Sequence, residues 1–162
     1  MDGSIKTGLR GLFKVNVLQN LPEKIKSLRA GLISVEEFQT WINSASADEL
    51  KLVPQGILLR LKRGGMDKVM LASVNILPDC VNCHGIYRQG VFESRNEHAS
   101  CSKYVDQAVQ GNVLVSIQKP KWYKPKAGQL GPESYYSCTS CGSIWNLVEP
   151  ERQCNGLWER IA

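Results

Sequence analysis

Two pairs of cysteines stand in the second half of the chain, and two residues separate the members of each pair. They are Cys80, Cys83, Cys138 and Cys141. A two-residue gap lets one tight turn aim both sulfurs at a single point, and two such turns complete a tetrahedral set of four thiolates. Such a set leaves no open position for a substrate. The spacing therefore predicts one structural Zn²⁺ and no metal-catalysed reaction.

Other arrangements of the cysteines and histidines stay open. A local mixed site could form from Cys80, Cys83, His98 and Cys101, leaving the second pair without a metal. Disulfides are a further alternative. Cys101 and Cys154 are left over from the two pairs, and free cysteines of this kind are more often small apolar core residues than ligands.

His84 directly follows Cys83, which completes the C-x-x-C-H pattern of c-type haem attachment. That attachment takes place after export. The first residues, MDGSIKTGLRGLF, lack the charged and apolar regions of a signal peptide, so we expect neither export nor haem.

Composition favours a reducing compartment and a folded chain. Of 162 residues 43% are apolar, enough for a core, and the net charge is +5. The sequence has no run of about 18 apolar residues, so we expect no membrane span. We expect a cytoplasmic location, where thiols stay reduced and paired cysteines indicate metal binding more often than disulfides.

Few residues are available for catalysis. The chain has two histidines, His84 and His98, each near a cysteine. Neither a phosphate-binding loop nor a dinucleotide-binding glycine motif occurs. We therefore expect a protein that is not an enzyme.

The first 78 residues are predicted to be helical, with two helix starts marked by capping boxes. Ser34 is followed by Glu37, and Ser46 by Glu49. At this spacing the serine side chain accepts from the glutamate amide, and the glutamate side chain accepts from the serine amide.

An earlier helix is predicted from Pro22 to Ala30, with Pro22 in its first turn and Gly31 ending it. Residues 1–20 fit either a strand or a short helix. Two further apolar runs are separated by Gly64 and Gly65. The predicted core-facing residues of these helices are Val35, Phe38, Trp41, Ile42, Leu58, Leu59, Leu61, Val69, Met70, Leu71 and Val74.

After Pro78 the chain changes character, and glycine, proline, cysteine and aromatic residues become frequent. Short β-prone runs occur at residues 113–118, 134–138 and 143–148. The predicted fold class is α+β, with a helical subdomain over 1–78 and a β-rich, zinc-ribbon-like region over 79–162. Whether these form one integrated domain is left open by the sequence.

A basic and aromatic segment lies between two of the β-prone runs, where its prolines favour an exposed loop. It contains Lys119, Lys121, Trp122, Tyr123, Lys124 and Lys126. Cations interleaved with aromatic rings are typical of a surface that binds single-stranded nucleic acid. The alternative is a solvated hairpin whose tryptophan packs on the core.

Two stretches of the chain resemble a known class of proteins. KIKSLRAGLISVEEFQTWINSASADEL, residues 24–50, is similar to the helical region of bacterial immunity proteins that neutralise polymorphic or contact-delivered toxins. YYSCTSCGSIWNLVEPERQCNGLWERI, residues 135–161, resembles the zinc-knuckle tails of small proteins of the same kind. The resemblance implies a cytosolic protein that binds a cognate toxin tightly and performs no chemistry.

If the toxin is a nuclease, its basic active-site face favours an acidic surface on the inhibitor. The densest acidic cluster is Glu36, Glu37, Asp48 and Glu49. The runner-up interpretation is a zinc-ribbon protein that binds nucleic acid or regulates transcription. The sequence does not give the oligomeric state.

Overall fold

In the computed structural model, which describes residues 16–77 and 79–162, short helices precede a five-stranded antiparallel sheet. The predicted α+β class is confirmed. Residues 1–15 and Pro78 lie outside the described part, as do the side chains of residues 16–20 and Glu49, so the strand-or-helix question for residues 1–15 stays open.

Helix α1 spans Asn16–Arg29 and begins six residues before Pro22. The prediction that Pro22 stands in the first turn is therefore wrong. Leu21, Ile25 and Leu28 are all buried, so one core-facing stripe runs past the proline. Packing of that stripe offsets the cost of an interior proline, about 3 kcal/mol.

The predicted end of α1 at Gly31 is confirmed. Gly31 has a φ of 70°, in the left-handed region that favours glycine. The amides of Gly31 and Leu32 donate to the carbonyls of Leu28 and Ser27, at 3.1 and 2.9 Å. This closure turns the chain directly into the next helix.

Helix α2 spans Val35–Ser44 and has the predicted capping box. The amide of Glu37 donates to Ser34 Oγ at 3.1 Å, and the amide of Ser34 donates to Glu37 Oε2 at 2.7 Å. Phe38 is fully buried, with the half-buried Trp41 ring 6.0 Å from its own. The helix predicted to start at Ser46 is a single turn, α3, Ala47–Leu50, and the capping box predicted there depends on the side chain of Glu49, which lies outside the described part.

Helices α4, Gln55–Arg63, and α5, Met66–Ser73, are the two runs predicted on either side of Gly64 and Gly65. Most of their predicted core residues are buried or partly buried. Leu59 and Leu71 are corrections, because they are 56% and 50% exposed. Successive helical residues are rotated by about 100°, so a run of consecutive apolar residues cannot all face the core, and Leu59 and Leu71 lie on the outward side.

The second half contains five strands and one long helix. In chain order they are β1 Gly90–Val91, α6 Arg95–Gln110, β2 Leu114–Ile117, β3 Glu133–Cys138, β4 Ile144–Val148 and β5 Leu157–Arg160. The sheet order is β1-β5-β4-β3-β2, with every neighbouring pair antiparallel. The three β-prone runs become β2, β3 and β4, as predicted.

Helix α6 was not predicted, although it carries the same start signal as α2. The side chain of Ser94 accepts from the amide of Glu97. Buried side chains then follow on one face, with His98, Cys101 and Val105 at helical spacing. The start of this helix is thus encoded in the sequence by the spacing of Ser94 and Glu97.

The sheet is covered on both faces. On β4, Ile144 belongs to the core cluster of the helices α1–α5, whereas its neighbour Trp145 belongs to the cluster that includes α6. Successive strand residues point to opposite faces. The helices of the first half therefore pack on one face of the sheet, and α6 packs on the other. Of the helices in residues 16–77 and 79–162, none has the length and apolar character needed to cross a bilayer.

Candidate metal centre

The fold brings the four paired cysteines together at one end of the sheet. Cys80 and Cys83 lie in the turn that follows α5, Cys138 ends β3, and Cys141 lies in the turn between β3 and β4. The Sγ atoms of Cys80 and Cys138 are 4.0 Å apart, and those of Cys83 and Cys141 are 3.7 Å apart. All four Sγ atoms lie within 4.8 Å of one another.

Each pair is presented by a tight turn. In the first turn the amide of His84 donates to the carbonyl of Cys80, and in the second that of Gly142 donates to Cys138, both at 2.9 Å. Gly142 has a φ of 73°, which glycine adopts without strain. The middles of the two turns are also linked, because Asn82 Nδ2 donates to Ser140 Oγ at 2.8 Å.

The sulfur separations fit a metal ion better than disulfides. A tetrahedron with metal–sulfur bonds of about 2.3 Å has sulfur–sulfur edges of about 3.8 Å. A disulfide needs a sulfur–sulfur bond of about 2.05 Å. All four residues are free cysteines, and the Cys80–Cys138 and Cys83–Cys141 separations of 4.0 and 3.7 Å lie close to the tetrahedral edge. The donor set therefore could hold one thiophilic metal ion.

The thiols of the cluster influence one another electrostatically. The hydrogen bond between Cys83 and Cys141 lowers the pKa of Cys141 and raises the pKa of Cys83. Ser143 lies beside Cys141 and contributes to the lowering, with its Oγ 3.2 Å and its amide nitrogen 3.4 Å from the sulfur. Burial raises the pKa of Cys138. The cluster thus favours thiolate first at Cys141.

Two buried arginines lie near the cluster. Arg29, at the end of α1, is 8% exposed and donates to Ser143 Oγ at 3.4 Å and to Ser73 Oγ at 3.1 Å. Burial lowers the pKa of Arg29 to about 10, and negative charge at Cys141 acts in the opposite direction. Arg160, on β5, has a side chain that is 7% exposed and lies 3.5 Å from Asp79.

The other proposed ligands lie outside this cluster. Among the residues with described positions, the four cysteines are the only group of three or more His, Cys, Asp or Glu side chains that converge to hold a metal. The local alternative with His98 and Cys101 is therefore not formed. Cys101 is fully buried in the core, and burial raises its pKa to about 12.

The remaining candidate ligands contact residues other than the four cysteines. They are His98, Cys154 and His84. His98 packs edge-on against Phe92, and its Nε2 lies 4.0 Å from Glu149. Cys154 is half-buried, and its backbone forms an isolated antiparallel β-bridge with that of Glu151. His84 lies 3.3 Å from the carboxylate of Asp79.

The basic and aromatic segment is partly engaged in the fold. Lys119 pairs with Glu133 at 3.1 Å, and Lys126 pairs with Glu159 at 2.6 Å. Tyr123 is buried, and its hydroxyl donates to Glu159 at 3.1 Å. The other two lysines of the segment, Lys121 and Lys124, are exposed beside the half-buried Trp122.

The predicted acidic cluster lies on α2 and α3. Glu36, Glu37 and Asp48 are exposed to solvent, and Glu37 also closes the capping box. Glu49 follows Asp48 in α3, and its side chain lies outside the described part. The three described carboxylates are accessible to a partner.

Comparisons of this chain with protein-family models, with curated proteins and with solved structures found no match.

Proposed function

We propose that this chain is a non-enzymatic binding protein in which Cys80, Cys83, Cys138 and Cys141 hold one structural Zn²⁺. The observation that carries the metal assignment is the convergence of four sulfurs at the spacing of a tetrathiolate site. Four protein ligands complete the coordination of zinc, so the ion supplies folding free energy and no reactive position. Its thiolates need a reducing compartment such as the cytoplasm.

The partner that we propose is a bacterial toxin, which the protein would neutralise by covering its active site or blocking its activation. This part of the proposal rests on the resemblance of residues 24–50 and 135–161 to immunity proteins. If the toxin is a nuclease with a basic active-site face, the exposed carboxylates of Glu36, Glu37 and Asp48 supply charge of the opposite sign.

Capture of the partner from the native host tests this proposal. Wild-type protein and the Glu36→Lys/Asp48→Lys double variant are compared. The control is Glu93→Lys/Asp106→Lys, which changes the net charge equally at two exposed positions outside the acidic cluster. We expect wild type and the control to retain one toxin-like protein that the double variant loses. Capture of the same proteins by the wild type, the double variant and the control would contradict the proposed surface.

Nucleic-acid binding is the second candidate, favoured by the exposure of Lys121 and Lys124 beside Trp122. Binding of this kind weakens steeply as salt rises, because phosphate contacts release counterions. Titration of a labelled single-stranded oligonucleotide at about 50 and 200 mM salt separates the two candidates. An inhibitor of toxins shows no binding at either concentration, whereas a nucleic-acid protein binds at the lower one.

A further inference from the structure

Arg29 is a buried cation whose contacts are hydroxyl groups. Its Nη atoms donate to Ser73 and Ser143, and its Nε has no hydrogen-bond partner. Among the carboxylates whose side chains the structure describes, none forms an ion pair with Arg29. A guanidinium keeps its charge in proteins, and burying it without a counter-charge is costly.

A second guanidinium increases this cost. Arg160 is also buried, and its positive charge acts on Arg29. The carboxylate near Arg160 belongs to Asp79, whose side chain is 63% exposed and thus largely solvated. Arg29 therefore lies beside the cysteine cluster with a second positive charge near it and little carboxylate compensation.

A zinc ion bound by four thiolates supplies the missing charge. Two positive charges on the metal and four negative charges on the sulfurs leave a net charge of about −2. The path from the metal to Arg29 is short, because Ser143 Oγ lies 3.2 Å from the Sγ of Cys141 and 3.4 Å from Arg29 Nη1. The Ser143 hydroxyl can donate to the thiolate while it accepts from the guanidinium.

We propose that Arg29 is the buried counter-ion of the zinc–thiolate centre, so that metal binding and the docking of α1 on the sheet strengthen each other. This inference rests on the proposed zinc site. Arg29 is the last residue of α1, and Leu21, Ile25 and Leu28 of that helix lie in the core. Coupling of this kind is reciprocal, so α1 raises metal affinity by the factor by which metal stabilises its docking.

The test measures zinc affinity of the full chain by competition with a chromogenic chelator. Arg29→Met removes the charge, Arg29→Lys retains it, and Ser143→Ala removes the linking hydroxyl. Ser73→Ala is the matched control, because this equally buried serine contacts Arg29 through the other Nη atom. Partners of metal ligands typically change affinity by about 10–100-fold.

We expect Arg29→Met and Ser143→Ala to weaken zinc binding by about 10-fold or more, and Arg29→Lys to weaken it less than Arg29→Met. Ser73→Ala should change affinity by less than about 2-fold, well below the effect of removing a metal ligand's partner. If Arg29→Met does not fold, Ser143→Ala alone decides the comparison with Ser73→Ala. Equal affinity of Ser143→Ala and wild type would overturn the proposal, as would equal weakening by the two serine variants.

Hydrogen exchange of α1 gives a second readout. In the wild type, we expect chelation of zinc to speed exchange of the amides near Arg29, whereas in Arg29→Met the zinc-dependent protection should be small. If the protection of these amides in the wild type is the same with and without zinc, the proposed coupling is overturned. Failure of wild-type protein to bind zinc at all is a separate result, because it removes the proposed metal site itself.

Discussion

Cys83 and Cys141 are 58 residues apart in the sequence, and their Sγ atoms are 3.7 Å apart in the fold. The chain between them contains β1, α6, β2 and β3. A metal ion bound to both residues therefore closes a loop that includes most of the second half. Closing a long loop costs little more entropy than closing a short one, so the length of this insertion is compatible with a stable site.

Loss of one ligand should release the metal. We predict that Cys83→Ser and Cys138→Ser each lose the bound zinc and destabilise the second half, because the site contributes folding free energy directly. Zinc content and circular dichroism check this. Cys154→Ser is the matched control, since Cys154 lies outside the cluster, and it should keep one equivalent. Zinc retained in both ligand variants would contradict the ligand assignment.

Removing the metal from wild-type protein should lower its melting temperature. Free zinc at about 1,000 times its Kd stabilises a protein by about 4 kcal/mol, or about 8–16 °C for a chain of this size. Thermal unfolding with and without a strong chelator measures the difference. Near-ultraviolet circular dichroism should change too, because Trp145 packs in the same cluster as Cys83. The chelator should leave the melting temperature of Cys83→Ser unchanged, because this variant already lacks the site. An equal shift in this variant would show that the chelator does not act by removing metal from the four cysteines.

The cap of α6 should contribute measurably to stability. Ser94→Ala removes the side chain that accepts from the amide of Glu97 at 3.2 Å. We expect a loss of about 1 kcal/mol, or about 2–4 °C in Tm. Ser100→Ala changes an exposed serine of the same helix and should stay within about 0.5 kcal/mol of wild type. Equal melting of the two variants would show that the cap contributes nothing.

The backbone before β5 should not tolerate a side chain. Gly156 has a φ of 85°, and a Cβ there would lie 2.2 Å from the carbonyl oxygen of Val148. Gly156→Ala should therefore cost about 2–5 kcal/mol, measured by chemical denaturation. Gly128 has a similar φ of 83° but open space around it, so Gly128→Ala should cost only about 1–2 kcal/mol. Similar losses in both variants would contradict the close contact.

The sequence predicted the features that depend on short spacing. The capping box at Ser34, the helix end at Gly31 and the fold class are in place, and the two C-x-x-C pairs converge as the metal prediction requires. Each of these is encoded within a few residues. The start of α1 before Pro22 was missed, because tertiary packing of the apolar stripe outweighs the local preference of proline.

Long-range relationships could not be predicted from the sequence. Nothing near Arg29 indicates that it ends up between Ser73 and Ser143, because these contacts span 44 and 114 residues. The exposure of Leu59 and Leu71 likewise depends on how α4 and α5 rotate against the core. Helix α6 is a different case, since the spacing of Ser94 and Glu97 could have revealed its start.

The most direct measurement is metal analysis of reduced wild-type protein, followed by absorption spectroscopy after replacement of the metal with cobalt. One zinc per chain is predicted, together with a cobalt spectrum of tetrahedral coordination by four thiolates. Protein without bound metal, or a cobalt spectrum that requires nitrogen or oxygen ligands, would contradict the site formed by Cys80, Cys83, Cys138 and Cys141.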